Sequence, residues 1–172
     1  MVRAAIVGLG WWGKTIVDSV QGKSDQITFV AANTRTRAKA EEFCRERKID
    51  LRNDLDAILK DPAIDAVVYT TPHSQHEEHI KRAAQAGKHI FVEKPFTLTV
   101  TSAKAALDAV KKAGVVLGVD FQRRFHPSIA EIRASRFSAR SASPKPPVRA
   151  WIRSASCRCP NREGPTRARS RR

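Results

Sequence analysis

Short apolar runs alternate with helical patterns throughout the first 134 residues of the chain. Each run is too short and too apolar for a strand with one face in water, and each is followed by a helical pattern. Because crossovers between parallel strands are right-handed, we expect an α/β fold with a doubly wound parallel sheet. The six predicted strands are residues 3–8, 27–33, 49–51, 64–70, 89–92 and 115–119.

Residues that favour helix ends mark the predicted helices. Thr36 and Asn53 are expected to cap the helices that follow the second and third strands. Residues 74–77, Ser-Gln-His-Glu, match a capping box, which opens a helix that ends at Gly87. A further helix is predicted from about Thr99 to Gly114.

A glycine-rich turn, Gly8-Leu-Gly10-Trp-Trp-Gly13, lies between the first strand and the first helix. In this context Gly8 permits the tight turn, Gly10 lets a pyrophosphate approach the backbone, and Gly13 allows close packing of helix on strand. The pattern predicts a Rossmann-type dinucleotide site, in which Trp11 and Trp12 cover the cofactor or one of them packs against a partner. A structural turn with chance glycines is the alternative interpretation.

The end of the second strand indicates which dinucleotide is preferred. An NAD site usually has an acidic residue there, which accepts a hydrogen bond from the ribose 2′-hydroxyl, whereas an NADP site has a cation. This chain reads Asn33-Thr34-Arg35 with no acidic residue at hand. A guanidinium binds a 2′-phosphate through two parallel hydrogen bonds, so we expect NADP to be preferred over NAD. An exposed arginine beside a helix start is the alternative.

A third motif, Glu93-Lys94-Pro95, follows the fifth strand. Ligands of open parallel sheets bind outside the carboxyl ends of the strands, and at such a site Lys94 would be an ammonium buried in the cleft. Composition alone favours the alternative, a surface lysine in front of a turn proline.

Together these motifs resemble the N-terminal domain of the glucose–fructose oxidoreductase and inositol dehydrogenase family, over roughly residues 2–134. Asp120 and Gln122 stand where that family commonly has Gly and Asn, and His73 and Gln75 stand where Asn and Leu are usual. The segments that carry the resemblance are the glycine turn, Thr71-Pro72-His73-x-x-His76, Ala86-Gly87-Lys88-His89, Glu93-Lys94-Pro95 and Phe121-Gln-Arg-Arg-Phe125.

The resemblance implies an NAD(P)-binding Rossmann domain followed by a substrate domain, in an enzyme that oxidises or reduces a carbon–oxygen bond of a sugar or polyol. Lys94 matches the residue that assists proton transfer near the nicotinamide. Thr71, Pro72 and His76 match the loop beside the cofactor, and Glu93 matches the residue near the nicotinamide ribose. The pair Thr34-Arg35 resembles that of NADP-using members.

The charge of the chain is concentrated in its last 38 residues. Residues 135–172 hold 11 basic side chains and one acid, Glu163, with few large apolar residues. Such a segment cannot bury enough surface to fold, so we expect a domain over residues 1–134 and a disordered Arg/Ser/Pro-rich tail.

We expect that a frameshift near residue 135 replaced the substrate domain. The alternative to an active oxidoreductase is therefore a truncated fragment that binds the nucleotide but is catalytically silent. Incidental binding of polyanions is expected of the tail, without specific nucleic-acid recognition, because stacking aromatics are nearly absent.

The remaining features exclude several classes of protein. No apolar run approaches the roughly 18 residues of a membrane span, and three scattered cysteines predict a reducing compartment, hence the cytoplasm. No metal site is expected, because histidines 73, 76 and 79 diverge around a helix and Cys157-Arg-Cys159 has no second pair. We expect that loss of a second domain would leave an apolar face exposed, which would favour self-association.

Overall fold

The computed structural model describes residues 1–138 of the 172-residue chain. The strands are β1 (Val2–Val7), β2 (Ile27–Asn33), β3 (Asp50–Leu51), β4 (Ala66–Tyr69), β5 (His89–Glu93) and β6 (Leu117–Asp120). The helices are α1 (Trp11–Val20), α2 (Glu41–Glu46), α3 (Leu55–Leu59), α4 (His76–Gln85), α5 (Val100–Ala113) and α6 (Pro127–Ser138). Single 3₁₀ turns cover Arg37–Lys39, His73–Gln75 and Gln122–Phe125.

The six strands form one parallel sheet in the order β3-β2-β1-β4-β5-β6. Strand order reverses between β1 and β4, since the chain first builds outward from β1 to β3 and then returns to the other side. This topology confirms the predicted doubly wound sheet, and its switch point is where a ligand of such a sheet binds.

Side chains of β1 alternate between two buried clusters, one on each face of the sheet. Ala4 and Ile6 pack with Val17 of α1 and with residues around α2. Ala5 and Val7 pack instead with the apolar side chains of α3, α4 and α5. A strand buried on both faces explains why β1 reads as a continuous apolar run in the sequence.

Three of the predicted helix starts are wrong. Thr36 precedes a 3₁₀ turn and its side chain makes no cap. The cap of α3 is Asp54 rather than Asn53, because the Asp54 carboxylate accepts the backbone N–H of Asp56 at 3.0 Å. Residues 73–75 form a 3₁₀ turn after Pro72, so α4 begins at His76 without a side-chain cap.

Helix α5 begins and ends as the sequence predicts. Thr99 and Ser102 form a reciprocal capping box, in which Thr99 Oγ1 accepts the Ser102 N–H at 3.0 Å. Gly114 ends the helix in the left-handed conformation, with φ of +69°.

The chain divides into two compact units, of which the first is Met1–Gln122. The described part of the second unit contains α6, which runs to Ser138 and thus across residue 134. The predicted tail from residue 139 onward, including Cys157, Cys159 and Glu163, lies outside the described residues. The predicted domain boundary at residue 134 stays a prediction.

Candidate functional site

The turn after β1 is closed around two of its glycines and open at the third. A Cβ on Gly8, whose φ is +101°, would lie 2.7 Å from the carbonyl oxygen of Thr70. A Cβ on Gly13 would lie 2.1 Å from the carbonyl oxygen of Gly8, so α1 packs directly on the turn. Beside Gly10, by contrast, no heavy atom lies within 4 Å of the Cβ position. Only Gly10 therefore leaves room for a ligand against the backbone.

The same turn is held by hydrogen bonds to its neighbours on both sides. The Gly8 N–H donates to the Asn33 carbonyl oxygen at 2.8 Å, and the Thr70 N–H donates to the Val7 carbonyl oxygen at 2.9 Å. The Thr70 hydroxyl also donates to the Gly8 carbonyl oxygen. These bonds fix the ends of β1, β2 and β4 against one another at the switch point.

A cavity of about 600 Å³ opens beside this turn. Its walls come from the turn after β1, the loop after β2, the start of α3, and the loop and first turns after β4. The predicted site residues that line the cavity are Gly8, Gly10, Asn33, Thr34, Arg35, Thr71 and Pro72. The lining residues that the sequence interpretation missed are Val7, Leu9, Thr36, Arg37, Asn53, Leu55, Thr70, Gln75, His79 and Arg82.

The cavity is cationic at the loop after β2. Arg35 is exposed, and its guanidinium has no hydrogen-bond or ion-pair partner within residues 1–138. Arg37 is half-buried and donates from Nη1 to the Leu51 carbonyl oxygen at 3.1 Å, which fixes its direction. No aspartate or glutamate within the described chain lines the cavity. This wall is therefore suited to an anion.

His79 of α4 also lines the cavity and lies against Tyr69. Their rings are stacked with centroids 4.9 Å apart, and His79 Nδ1 is 3.1 Å from the Thr71 hydroxyl. Burial lowers the pKa of His79 and raises the pKa of the Tyr69 phenol. Both groups are therefore biased toward their neutral forms.

His76 is fully buried and does not line the cavity. Its Nε2 is 3.0 Å from the Thr71 carbonyl oxygen and its Nδ1 is 2.9 Å from the Pro95 carbonyl oxygen. The ring thus joins the loop after β4 to the loop after β5. Its predicted contact with the cofactor stays a prediction, whereas its contact with both loops is observed.

The ends of β5 and β6 form a second group of polar residues. Glu93 and Asp120 are register partners, and the Trp12 indole N–H donates to Asp120 Oδ2 at 3.2 Å. Burial and the neighbouring Asp120 carboxylate raise the pKa of Glu93. The Trp11 ring, 79% exposed, lies beside the Trp12 ring with centroids 5.4 Å apart.

Lys94 is exposed, in agreement with the surface lysine that composition favoured and not with an ammonium buried in a cleft. The reason is its position: it leaves the sheet at the end of β5, and no described residue covers it. Among residues 1–138, no three His, Cys, Asp or Glu side chains come together as a group that could hold a metal ion. No helix in that range is both long enough and apolar enough to cross a bilayer.

Comparison with known proteins identifies the family. The sequence model of an oxidoreductase family with an NAD-binding Rossmann fold matches residues 2–121. The chain belongs to this oxidoreductase family. The resemblance found in the sequence motifs is thereby confirmed, and residues 2–121 are its NAD(P)-binding Rossmann domain.

Relatives of the chain within this oxidoreductase family include two curated enzymes. The scyllo-inositol 2-dehydrogenase (NAD(+)) of Bacillus subtilis is 42% identical over 137 residues, which is 77% of this chain. The inositol 2-dehydrogenase of Rhizobium meliloti is 37% identical over 132 residues, again 77% of this chain. The chain spans 39% of the length of each relative.

A solved structure shows the same fold. The scyllo-inositol dehydrogenase of Lactobacillus casei, crystallised with NAD(H) and scyllo-inositol, superposes with a TM-score of 0.73 at 26% identity. The match covers 78% of this chain and 40% of that one.

Proposed function

We propose that this chain binds a nicotinamide dinucleotide across the carboxyl edge of its sheet, as the cofactor-binding part of an oxidoreductase. The observation that carries this proposal is the glycine turn, which is open at Gly10 and closed at Gly8 and Gly13. Helix α1 begins at the opening, and its N-cap, Gly10, makes no side-chain cap. The first N–H groups of α1 are therefore available to a phosphate, which the positive end of the helix dipole also attracts.

The proposed preference is for NADP over NAD. Thr34 and Arg35 line the cavity, the Arg35 guanidinium has no partner among residues 1–138, and the described part of the cavity wall contains no carboxylate. A 2′-phosphate would gain charge-assisted hydrogen bonds here, whereas a 2′-hydroxyl would find no carboxylate acceptor. Arg37 adds a second positive charge to the same loop.

Calorimetric titration of Arg35→Asp with NADPH and NADH tests this preference. Loss of a charge-assisted contact and the added repulsion are expected to weaken NADPH binding about ten- to hundredfold, with NADH affected much less. Arg45→Asp is the matched control, because it makes the same change of charge at an exposed arginine of α2 that pairs with Glu42 away from the cavity. An unchanged NADPH-to-NADH affinity ratio in Arg35→Asp would refute the preference.

We propose that the oxidoreductase acts on a carbon–oxygen bond of a polyol such as an inositol, or of a related sugar. When bound, the nicotinamide supplies the hydride acceptor or donor. Lys94 stands at the carboxyl end of β5, where its ammonium can exchange a proton with the substrate hydroxyl. His76 holds the loop that follows Lys94, because its Nδ1 contacts the Pro95 carbonyl oxygen.

The exposure of Lys94 favours a second candidate, a protein that binds the dinucleotide without turnover. Hydride transfer requires a substrate held against the cofactor, and no described residue encloses Lys94. Reduction of NADP⁺ and NAD⁺ with a panel of inositols and other polyols distinguishes the two candidates. Turnover that is lost in Lys94→Met, with cofactor affinity retained, supports the enzyme, whereas binding without turnover supports the second candidate.

Self-association stays a prediction. Phe91, Val116 and Phe121 of the first unit are exposed apolar residues, and such residues promote contacts between copies when they are clustered. Sedimentation velocity over a range of concentrations tests it, and a single monomeric species would contradict it. A cytoplasmic location likewise stays a prediction.

A further inference from the structure

A hydrogen bond links the beginning of α1 to the far end of the sheet. Trp12 is the second residue of α1, which follows β1, while Asp120 is the last residue of β6. In the sheet, β4 and β5 lie between β1 and β6. The Trp12 indole N–H nevertheless reaches Asp120 Oδ2 at 3.2 Å. The indole therefore lies at the carboxyl ends of the intervening strands, the edge where ligands of doubly wound sheets bind.

The hydrogen bond to Trp12 does not by itself explain why residue 120 has a charged side chain. Its side chain is buried, with 7% of the residue exposed, and it forms no ion pair within residues 1–138. An asparagine would accept the indole N–H equally well without the cost of burying a charge. A second carboxyl group, that of Glu93, is its partner across β5 and β6. Within the described residues the two carboxyl groups therefore have no paired cation, even with Lys94 next in sequence to Glu93.

A cationic ring would supply the missing charge. The oxidised nicotinamide ring carries a positive charge and the reduced ring is neutral, so a nearby carboxylate discriminates between them by simple attraction. An indole adds a flat aromatic surface, which favours a cationic ring through the cation–π interaction. Both features meet at one place on the carboxyl edge of the sheet.

Resting on the proposed function, we propose that Asp120 is a specificity-determining residue that makes the site favour the oxidised dinucleotide over the reduced one. Asp120 acts in two ways: it positions the Trp12 indole as a wall for the nicotinamide ring, and it supplies a negative charge to that ring. The oxidised form is the one that accepts hydride, so this bias suits a protein that meets its substrate as an alcohol.

The test separates the charge of Asp120 from its hydrogen bond. Dissociation constants for NADP⁺ and NADPH are measured by calorimetry for the full chain and for Asp120→Asn, Asp120→Ala and Trp12→Phe. Asp120→Asn keeps an oxygen acceptor for the indole and an amide that can hydrogen-bond to Glu93, and it removes the charge, so NADP⁺ affinity is expected to fall about fivefold relative to NADPH affinity. Asp120→Ala is expected to lower the ratio of NADP⁺ affinity to NADPH affinity in the same way, and also to weaken the binding of both ligands. Trp12→Phe is expected to weaken the binding of both ligands.

Two controls make the outcome specific. Asp108→Asn removes an exposed carboxylate of α5 and is expected to leave both affinities unchanged. 2′-Phospho-ADP-ribose, which has no nicotinamide ring, is expected to bind the full chain and every Asp120 variant equally. Should Asp120→Asn fail to fold, Glu93→Gln removes the neighbouring charge and is expected to shift the ratio in the same direction.

The possible failures are distinguishable. If the full chain binds the dinucleotides and 2′-phospho-ADP-ribose, but the NADP⁺-to-NADPH ratio is the same in Asp120→Asn, the role of Asp120 is refuted while the proposed function stands. If the full chain binds none of these three ligands and neither NAD⁺ nor NADH, the proposed function and the role of Asp120 are refuted together.

Discussion

Replacing Gly13 by alanine is expected to disturb the fold and the cofactor site together. The new Cβ would lie 2.1 Å from the Gly8 carbonyl oxygen and 2.8 Å from the Thr70 hydroxyl oxygen. Ordinary contacts begin at 3.4 Å, so the start of α1 would have to move away by about 1.3 Å. Overpacking of this kind costs about 1–3 kcal/mol, which corresponds to a fall in melting temperature of roughly 3–10 °C for a chain of this size.

The surrounding structure gives little room for relaxation. The Gly8 carbonyl oxygen accepts a hydrogen bond from the Thr70 hydroxyl, and the Gly8 N–H donates to the Asn33 carbonyl oxygen. Movement must therefore fall on α1, whose first N–H groups are proposed to bind the phosphates. We expect thermal unfolding by circular dichroism to show the loss of stability, and titration with NADPH to show at least a tenfold loss of affinity.

Gly10→Ala is the matched control, because it adds the same methyl group where no heavy atom lies within 4 Å. The φ of Gly10 is −71°, which alanine adopts freely. We expect its melting temperature to stay within about 2 °C of the original, while NADPH affinity falls because the methyl group occupies the proposed path of the phosphate. The reasoning is refuted if the melting temperature of Gly13→Ala equals that of the original chain, or if Gly10→Ala binds NADPH as tightly as the original chain.

Three further substitutions test parts of the fold around the site. Burial lowers the pKa of His79, so the imidazole binds a proton less tightly in the folded state than in the unfolded state. The contribution of His79 to the free energy of unfolding is therefore fully present above a pH of about 6.5 and is lost as the pH falls below that value. Urea unfolding at several pH values should show that His79→Gln reduces this loss of stability in acid. Lys88→Met removes an ammonium that donates to two backbone carbonyl oxygens at 2.7 and 2.8 Å, so urea unfolding is expected to show a loss of about 1–3 kcal/mol in the free energy of unfolding. Lys60→Met, at an exposed lysine, should change this free energy little. Thr99→Ala breaks the capping box of α5 and should cost about 1 kcal/mol by the same measurement; an unchanged midpoint would contradict the role of the cap.

The central strands β1, β2 and β4 could be predicted from the sequence because most of their residues are buried, on both faces of the sheet. Such strands appear as continuous apolar runs, and the helices between them require a parallel sheet. The limits of the weakest strands were less accurate: the third strand is only Asp50–Leu51, and the sixth begins at Leu117 rather than residue 115. Short edge segments contain too few residues for a pattern to fix their ends.

The walls of the cavity were harder to predict than the glycine turn. The turn is a local feature, in which Gly8 and Gly13 are required by atoms that a Cβ would meet, whereas Gly10 borders open space. Arg37 and His79 line the cavity through the loop after β2 and the second turn of α4, and neither belongs to a recognised motif. Their signals were weak: a second arginine two residues after Arg35, and a histidine three residues after His76.

The contact between Trp12 and Asp120 could not be predicted at all, because 108 residues separate the two side chains in sequence. Only the strand order places the ends of β1 and β6 at the same edge of the sheet. A bulky residue inside the glycine turn was recognisable, but the residue that accepts its N–H was not. Contacts of this kind depend on the sheet as a whole and have no local pattern.

His76 shows how one buried side chain can serve a site that it does not line. Its two ring nitrogens contact the carbonyl oxygens of Thr71 and Pro95, so the ring fixes the loop after β4 relative to the loop after β5. The first loop lines the cavity proposed for the phosphates, and the second carries Lys94 at the end proposed for the nicotinamide. A dinucleotide bound as proposed would meet both loops at once, so their separation would have to be correct before it binds. We therefore interpret His76 as a positioning residue, which acts through the backbone of these two loops.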